Sequence, residues 1–185
     1  MSAVALSATR NPEAFWSDAL ARTEASLNHW VPAESVEPHT IHRAMRYSLF
    51  AGGKRIRPLL ALAAAEAIHP AAPGVEHVGA ALEMIHTYSL IHDDLPSMDD
   101  DDLRRGRETC HKKFGEATAI LAGDALQALS FQAIAEDDRL SAETRLELIT
   151  GLSGAAASMV KGQQADLKAE GKALSLADVE EIHAN

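Results

Sequence analysis

The chain has 185 residues, of which 46% are hydrophobic and only 4% aromatic, and its formal net charge at pH 7 is −10. That charge excludes the basic footprint of a nucleic-acid-binding protein, although polyanions remain within reach through intervening metal ions. The single cysteine, Cys110, excludes an internal disulfide and fits a reducing compartment.

Ala and Leu supply much of the apolar content and no β-branched run alternates cleanly, so an all-α chain is expected, folded as one helical domain over residues 1–185. Residues 1–10 have no basic segment leading into a long apolar stretch, so no signal peptide is expected. A first helix is predicted over 12–30, with Pro12 at its first position. Pro32 and Pro38 bracket the connection to a second helix over 39–50, which Gly52-Gly53 ends. A third begins at Pro58 and runs to 69, stopped by Pro70 and Pro73-Gly74. The apolar stretch 58–67 contains Glu66 and falls far short of the ~20 residues of a membrane span, so a soluble, cytoplasmic protein is expected. A fourth helix over 75–94 runs into a polar loop. Helices over 117–135 and 141–171 follow, the second capped by Ser141, and Ser175 with Asp178 opens a last one as a capping box. Gly79, Gly123, Gly151 and Gly154 lie inside helical stretches and allow close helix contacts.

The loop after the fourth helix begins Asp93-Asp94-Leu95-Pro96-Ser97-Met98-Asp99-Asp100-Asp101-Asp102. Carboxylates are the hard oxygen ligands that magnesium prefers, usually one or two of them beside substrate phosphates. A solvated acidic loop is the alternative. Against it, Asp93 and Asp94 end an apolar helix, and Arg104 and Arg105 follow at once with guanidinium groups suited to phosphate. In a regular helix positions 93 and 99 point roughly 120° apart, so they cannot share an ion there. Pro96 breaks that geometry and allows Asp99 to return towards Asp93. His86 and Ser89 lie on nearly the same helical face as Asp93.

Gly52-Gly53-Lys54-Arg55-Ile56-Arg57-Pro58 places three cations in a glycine-hinged loop leading into a helix. Backbone amides and a helix N-terminus there suit an anion such as a diphosphate. A basic surface turn accounts for these residues equally well.

Taken together, GGKRIRP and IHTYSLIHDDLPSMDDDDLRRGRETCHKKFGEATAILAGDAL closely resemble the bacterial farnesyl diphosphate synthases, of the trans-prenyltransferase (polyprenyl synthetase) family. The likeness continues through MVKGQQADLKAEG and SLADVEEIH. It implies an isoprenoid-synthase helical bundle around a central cavity, acting as a magnesium-dependent homodimer. That enzyme joins isopentenyl diphosphate head-to-tail to an allylic diphosphate, giving farnesyl diphosphate. The resemblance makes Lys54, Arg57, His86 and Arg105 contacts of isopentenyl diphosphate. It makes Asp93 and Asp99 the ligands of magnesium, with Asp94 a weaker candidate. Arg104 becomes the contact of the allylic diphosphate, and the catalytic set is Asp93, Asp99 and Arg104. Gln163 and Asp166 line the allylic side. Tyr88 stands where farnesyl-type enzymes carry an aromatic floor, and Ser89 leaves space nearer the motif.

The chain departs from that family in one respect. The family's second aspartate-rich motif and a later Lys-Thr pair are absent, and Asp137-Asp138 is followed by RLSAE without a third carboxylate. A chain lacking its carboxy-terminal half, and inactive by itself, is therefore expected. Other readings are a synthase making longer prenyl chains, a non-catalytic partner subunit, and a cation-binding module.

Overall fold

Asn11 opens the first helix of the computed structural model, which describes residues 11–69, 72–169 and 171–183. The readings placed on residues 1–10 and on Pro70 lie outside them. In α1 (Pro12–Trp30) the Asn11 side chain accepts from Glu13 N at 3.0 Å, and Pro12 occupies a position whose missing N–H leaves nothing unpaired. Helices α2 (His39–Leu49), α3 (Ile56–Ile68) and α4 (Val75–Asp93) follow. After them come α5 (Cys110–Phe114), α6 (Glu116–Ala135), α7 (Ala142–Ala169) and α8 (Leu176–His183). The all-α expectation holds. Ser175 and Asp178 exchange hydrogen bonds at the head of α8, Asp178 N donating to Ser175 Oγ at 3.3 Å and Ser175 N to Asp178 Oδ2 at 2.8 Å.

Helix α4 is central because its sequence is apolar almost all round. Ala80, Ala81, Met84, Ile85, Tyr88 and Ile91 are buried, and α1, α2, α3, α6 and α7 all pack against it. Small residues set how closely they pack. A Cβ on Gly79 would stand 3.2 Å from the Pro58 Cβ of α3. Leu27, Met45, Leu49, Leu62, Met84, Leu126 and Ile134 are the largest fully enclosed apolar side chains. Among the described residues, α6 is long and apolar enough by composition to cross a membrane, which the reading of residues 58–67 did not anticipate. Its Ala119, Ala122, Leu126, Ala133 and Ile134 are core residues, while Ile120 and Leu121 stay exposed.

The structure corrects the polar loop. Residues 103–108 form an antiparallel hairpin of β1 (Leu103–Arg104) and β2 (Arg107–Glu108), followed by α5. Its two turn residues, Arg105 and Gly106, have φ of 55° and 75°, the pattern of a type I′ turn. Tyr47 Oη donates to Glu108 O at 2.9 Å and the Arg107 guanidinium lies over the Tyr47 ring, which fastens the hairpin to α2. Cys110 is buried beneath it, and burial pushes its thiol up to about 11, so it stays protonated at neutral pH.

One ion-pair cluster ties the α6–α7 connection to α4. Buried Asp137 meets Arg139 Nη2 at 2.8 Å and His77 Nδ1 at 3.1 Å. Gly74, at φ 78°, is needed there, since a Cβ would fall 2.6 Å from Asp137 Oδ2. Hydrogen bonds from Arg139 hold the Asp137 carboxyl below its usual range. A depressed carboxyl contributes stability above its unfolded value near ~3.9, and that contribution disappears as pH falls through the folded value. Asp137→Ala should cost about 2 kcal/mol at pH 7, less than a wholly buried pair because Arg139 is 39% exposed. Urea denaturation should show the gap between variant and wild type closing below about pH 4.

Candidate active site

The basic stretch joining α2 to the first turn of α3 divides its three cations between two tasks. Gly52, Gly53 and Arg55 all have positive φ, at 86°, 145° and 49°. This path turns Arg55 inward, where it is 4% exposed. Arg55 Nε donates to Glu24 Oε1 at 2.8 Å, Nη1 to Glu83 Oε1 at 2.9 Å and Nη2 to Leu49 O at 2.8 Å. Burial opposes its charge, but the hydrogen bonds to Glu24 and Glu83 prevail and raise its pKa. Lys54 and Arg57 are left facing outward.

Those two residues, His86 of α4 and Arg105 of the hairpin turn line one open cleft of about 550 Å³, with Gly53, Ile56 and Glu83. Arg105 lies so close to the loop that a Cβ on Gly53 would sit 2.7 Å from its Nη1. His86 is half-buried, and its pKa is lowered by burial first and by Arg57 and Arg105 next, so it faces the cleft as a neutral donor at pH 7. Four groups that can hold a diphosphate thus converge from the α2–α3 loop, α3, α4 and the hairpin turn.

The acidic run is shaped by the end of α4. After Asp93 the chain doubles back, Met98 N donating to Leu95 O and Asp99 N to Asp93 O, both at 2.9 Å. Asp93 and Asp99 are thereby brought together. The Asp93 carboxyl is raised by burial first and by the Asp99 charge next, so this pair is short of positive charge. Such a donor set suits a divalent cation. Gln163 of α7 donates from Nε2 to Asp93 Oδ1 at 2.6 Å and fixes one carboxylate oxygen.

Asp94 faces a different neighbour from Asp93. It is 3% exposed, with Arg104 Nε 2.8 and 3.0 Å from its two oxygens and Nη2 2.6 Å from Oδ1. Both oxygens meet Arg104, so in this arrangement Asp94 orients its guanidinium. Asp166 is exposed and is not among the residues lining the cleft that Gln163 lines.

Beside Asp93 opens a second cleft of about 500 Å³, lined mainly by apolar atoms of Tyr88, Leu95, Met98, Ile120, Met159 and Leu167, with Ser89, Asp93 and Gln163 at its polar end. The Ser89 hydroxyl donates to His86 O at 2.9 Å and so is satisfied within the helix. Tyr88 is 5% exposed, its ring set edge-on to His92 at 5.7 Å. The two clefts have different linings but follow one stripe of α4, from His86 through Ser89 to Asp93. Seven helical residues rise roughly 10 Å, which sets the distance between the two ends.

His92 lines this cleft and packs on Gly123 of α6, and the two were not singled out as a pair. His92 Nε2 lies 3.0 Å from Ile120 O, and a Cβ on Gly123 would stand 2.2 Å from that nitrogen. A glycine inside an otherwise apolar helix was the available signal. Gly123→Ala should lower the melting temperature, although Ala alone gains roughly 1 kcal/mol of helix propensity over Gly. A raised melting temperature would mean that His92 swings aside freely.

The polyprenyl synthetase family model matches residues 38–185. The chain is 51% identical over 176 residues to the farnesyl diphosphate synthase of Geobacillus stearothermophilus, covering 92% of this chain and 59% of that protein. It is 48% identical over 157 residues to a chloroplastic geranylgeranyl pyrophosphate synthase of Capsicum annuum, covering 80% of this chain and 42% of that one. The crystal structure of a geranyltransferase from Legionella pneumophila superposes with a TM-score of 0.87 at 39% identity, covering 92% of this chain and 62% of that one. The chain spans about half to three fifths of the length of the curated bacterial relatives it matches.

Proposed function

The chain belongs to the polyprenyl synthetase family, and on that premise we propose that the whole protein condenses isopentenyl diphosphate with dimethylallyl or geranyl diphosphate. Farnesyl diphosphate is the product and diphosphate the leaving group. The observation that carries this reading is the pair of clefts on one stripe of α4, one basic and one apolar with carboxylates at its mouth.

Lys54, Arg57, Arg105 and neutral His86 hold isopentenyl diphosphate by its charged end. Asp93 and Asp99 are the residues that would hold magnesium, and their mutual repulsion favours that fit. When bound, the metal supplies positive charge that stabilises the departing diphosphate of the allylic substrate. Arg104, oriented by Asp94, adds a fixed guanidinium to the same charge. Gln163 holds the Asp93 carboxylate in place, and the walls built by Leu95, Met98 and Met159 exclude water from the allylic cation. The isopentenyl double bond attacks that cation, and loss of a proton completes the new unit. The whole protein acts in the cytoplasm as a homodimer. An apolar hollow lined by Ile41, Leu121 and Ala125 on α2 and α6 supports docking of a second copy.

The test is condensation of isopentenyl diphosphate with labelled geranyl diphosphate by the whole protein, with and without magnesium. A magnesium-dependent fifteen-carbon ester is expected; failure to form any elongated ester would sink the reading. Buried Tyr88 at the cleft floor favours that length over the longer products named for the Capsicum relative. Tyr88→Ala should therefore shift the product to twenty carbons or more, read by chromatography of the dephosphorylated alcohols. An unchanged distribution would remove Tyr88 from chain-length control.

A further inference from the structure

His111, in the first turn of α5, is 6% exposed, yet its Nε2 has no hydrogen-bond partner in the described protein. Its other ring nitrogen shows which form the imidazole takes. Nδ1 lies 3.1 Å from Thr109 Oγ1, and that hydroxyl already donates to Asp101 O at 2.8 Å. The Thr109 oxygen therefore accepts from Nδ1–H, and Nε2 is the buried ring nitrogen left without a partner.

Carboxylates lie close by. One donor atom from each of Asp100, Asp102 and His111 falls within 4.8 Å of the others. Asp100 reaches this place through a backbone turned to φ 53°, with its N–H bonded to Leu95 O at 3.1 Å. Both carboxylates are exposed and can rotate to close the remaining separation. Lys112 Nζ is 2.7 Å from Asp102 Oδ1 and competes for one oxygen, leaving the other.

Two carboxylates and an imidazole whose Nδ1 is engaged by Thr109 make a donor set for a borderline divalent ion, softer than magnesium. We infer that Asp100, Asp102 and His111 form a second cation site, for manganese or zinc, separate from the substrate-linked metal at Asp93 and Asp99. Its ligands flank the hairpin that carries Arg104 and Arg105: Asp102 precedes β1 and His111 follows β2. A cation here ties the base of that hairpin, and it binds without diphosphate because three ligands come from the protein.

Manganese binding to the chain, followed by electron paramagnetic resonance with no diphosphate present, tests the site. One bound ion is expected, carrying the nitrogen hyperfine coupling of an imidazole. Asp102→Asn should weaken binding about tenfold or more, and His111→Gln should abolish the nitrogen coupling. Asp93→Asn should leave both unchanged, which separates this site from the metal of the proposed reaction. Asp102 is exposed, so its variant reads the site even where His111→Gln does not fold. Absence of manganese binding without diphosphate, or binding lost in Asp93→Asn and kept in Asp102→Asn, overturns the inference.

Discussion

In the whole protein, under the proposed function, Asp93→Asn should lower the condensation rate by about a thousandfold or more while leaving the fold at least as stable as before. The rate effect follows from what the carboxylate does: with Asp99 it is the charge that would hold a metal against the departing diphosphate. Losing one preorganised group aimed at developing charge typically costs a factor of about 10²–10³, and here the metal's contribution is lost with it. The stability effect has the opposite sign. Burial and the Asp99 charge raise the Asp93 carboxyl in the folded chain, so the fold holds its proton more tightly than the unfolded chain does. At pH 7 that carboxylate is ionised at a cost to the metal-free fold, and the amide removes the cost. Metal-free thermal melts should show the variant at or above wild type at pH 7, with its advantage shrinking towards pH 4. A variant that loses both activity and stability would show that Asp93 supports the end of α4, and the metal assignment would fall.

How much of this was legible in the sequence depends on how local each determinant is. The ends of α1, α4 and α8 were readable because Asn11 with Pro12, Pro96, and Ser175 with Asp178 act within a few residues of themselves. The return of Asp99 to Asp93 also followed from Pro96. The hairpin was not legible. Its type I′ turn uses Arg105 where Asn or Gly is usual, and strands of two residues carry no periodic signal. Asp93 and Asp94 are adjacent and chemically identical. Which one turns to the cleft is decided by Arg104, ten residues further on, which captures Asp94. Gln163 meets Asp93 across 70 residues of sequence, so only family resemblance could pair them. The inward turn of Arg55 depends likewise on Glu24 and Glu83, 31 and 28 residues away.

That last arrangement gives the second large effect, because it is where stability and substrate binding meet. Glu83→Ala leaves the Arg55 guanidinium, 3% exposed at its side chain, with only Glu24 and the Leu49 carbonyl. Removing one partner of a buried pair costs about 3–5 kcal/mol, a large share of the 5–15 that a domain of this kind possesses. Urea denaturation should read that loss directly. The double variant Arg55→Met, Glu83→Leu removes both charges together and fills the space with apolar volume, so most of the stability should return. Activity should not return with it. The left-handed backbone at Arg55 is unfavourable by about 1–2 kcal/mol for any residue with a Cβ, and it is held by the three hydrogen bonds of the guanidinium. Without them the loop relaxes, and Lys54 and Arg57 lose their shared aim at the cleft that His86 and Arg105 complete. Under the proposed function, the expected signature in the whole protein is a raised KM for isopentenyl diphosphate with the KM for the allylic substrate little changed, in a protein that melts near wild type. If the double variant instead recovered that KM, the glycines alone would suffice to aim the loop, and Arg55 would be a packing residue only.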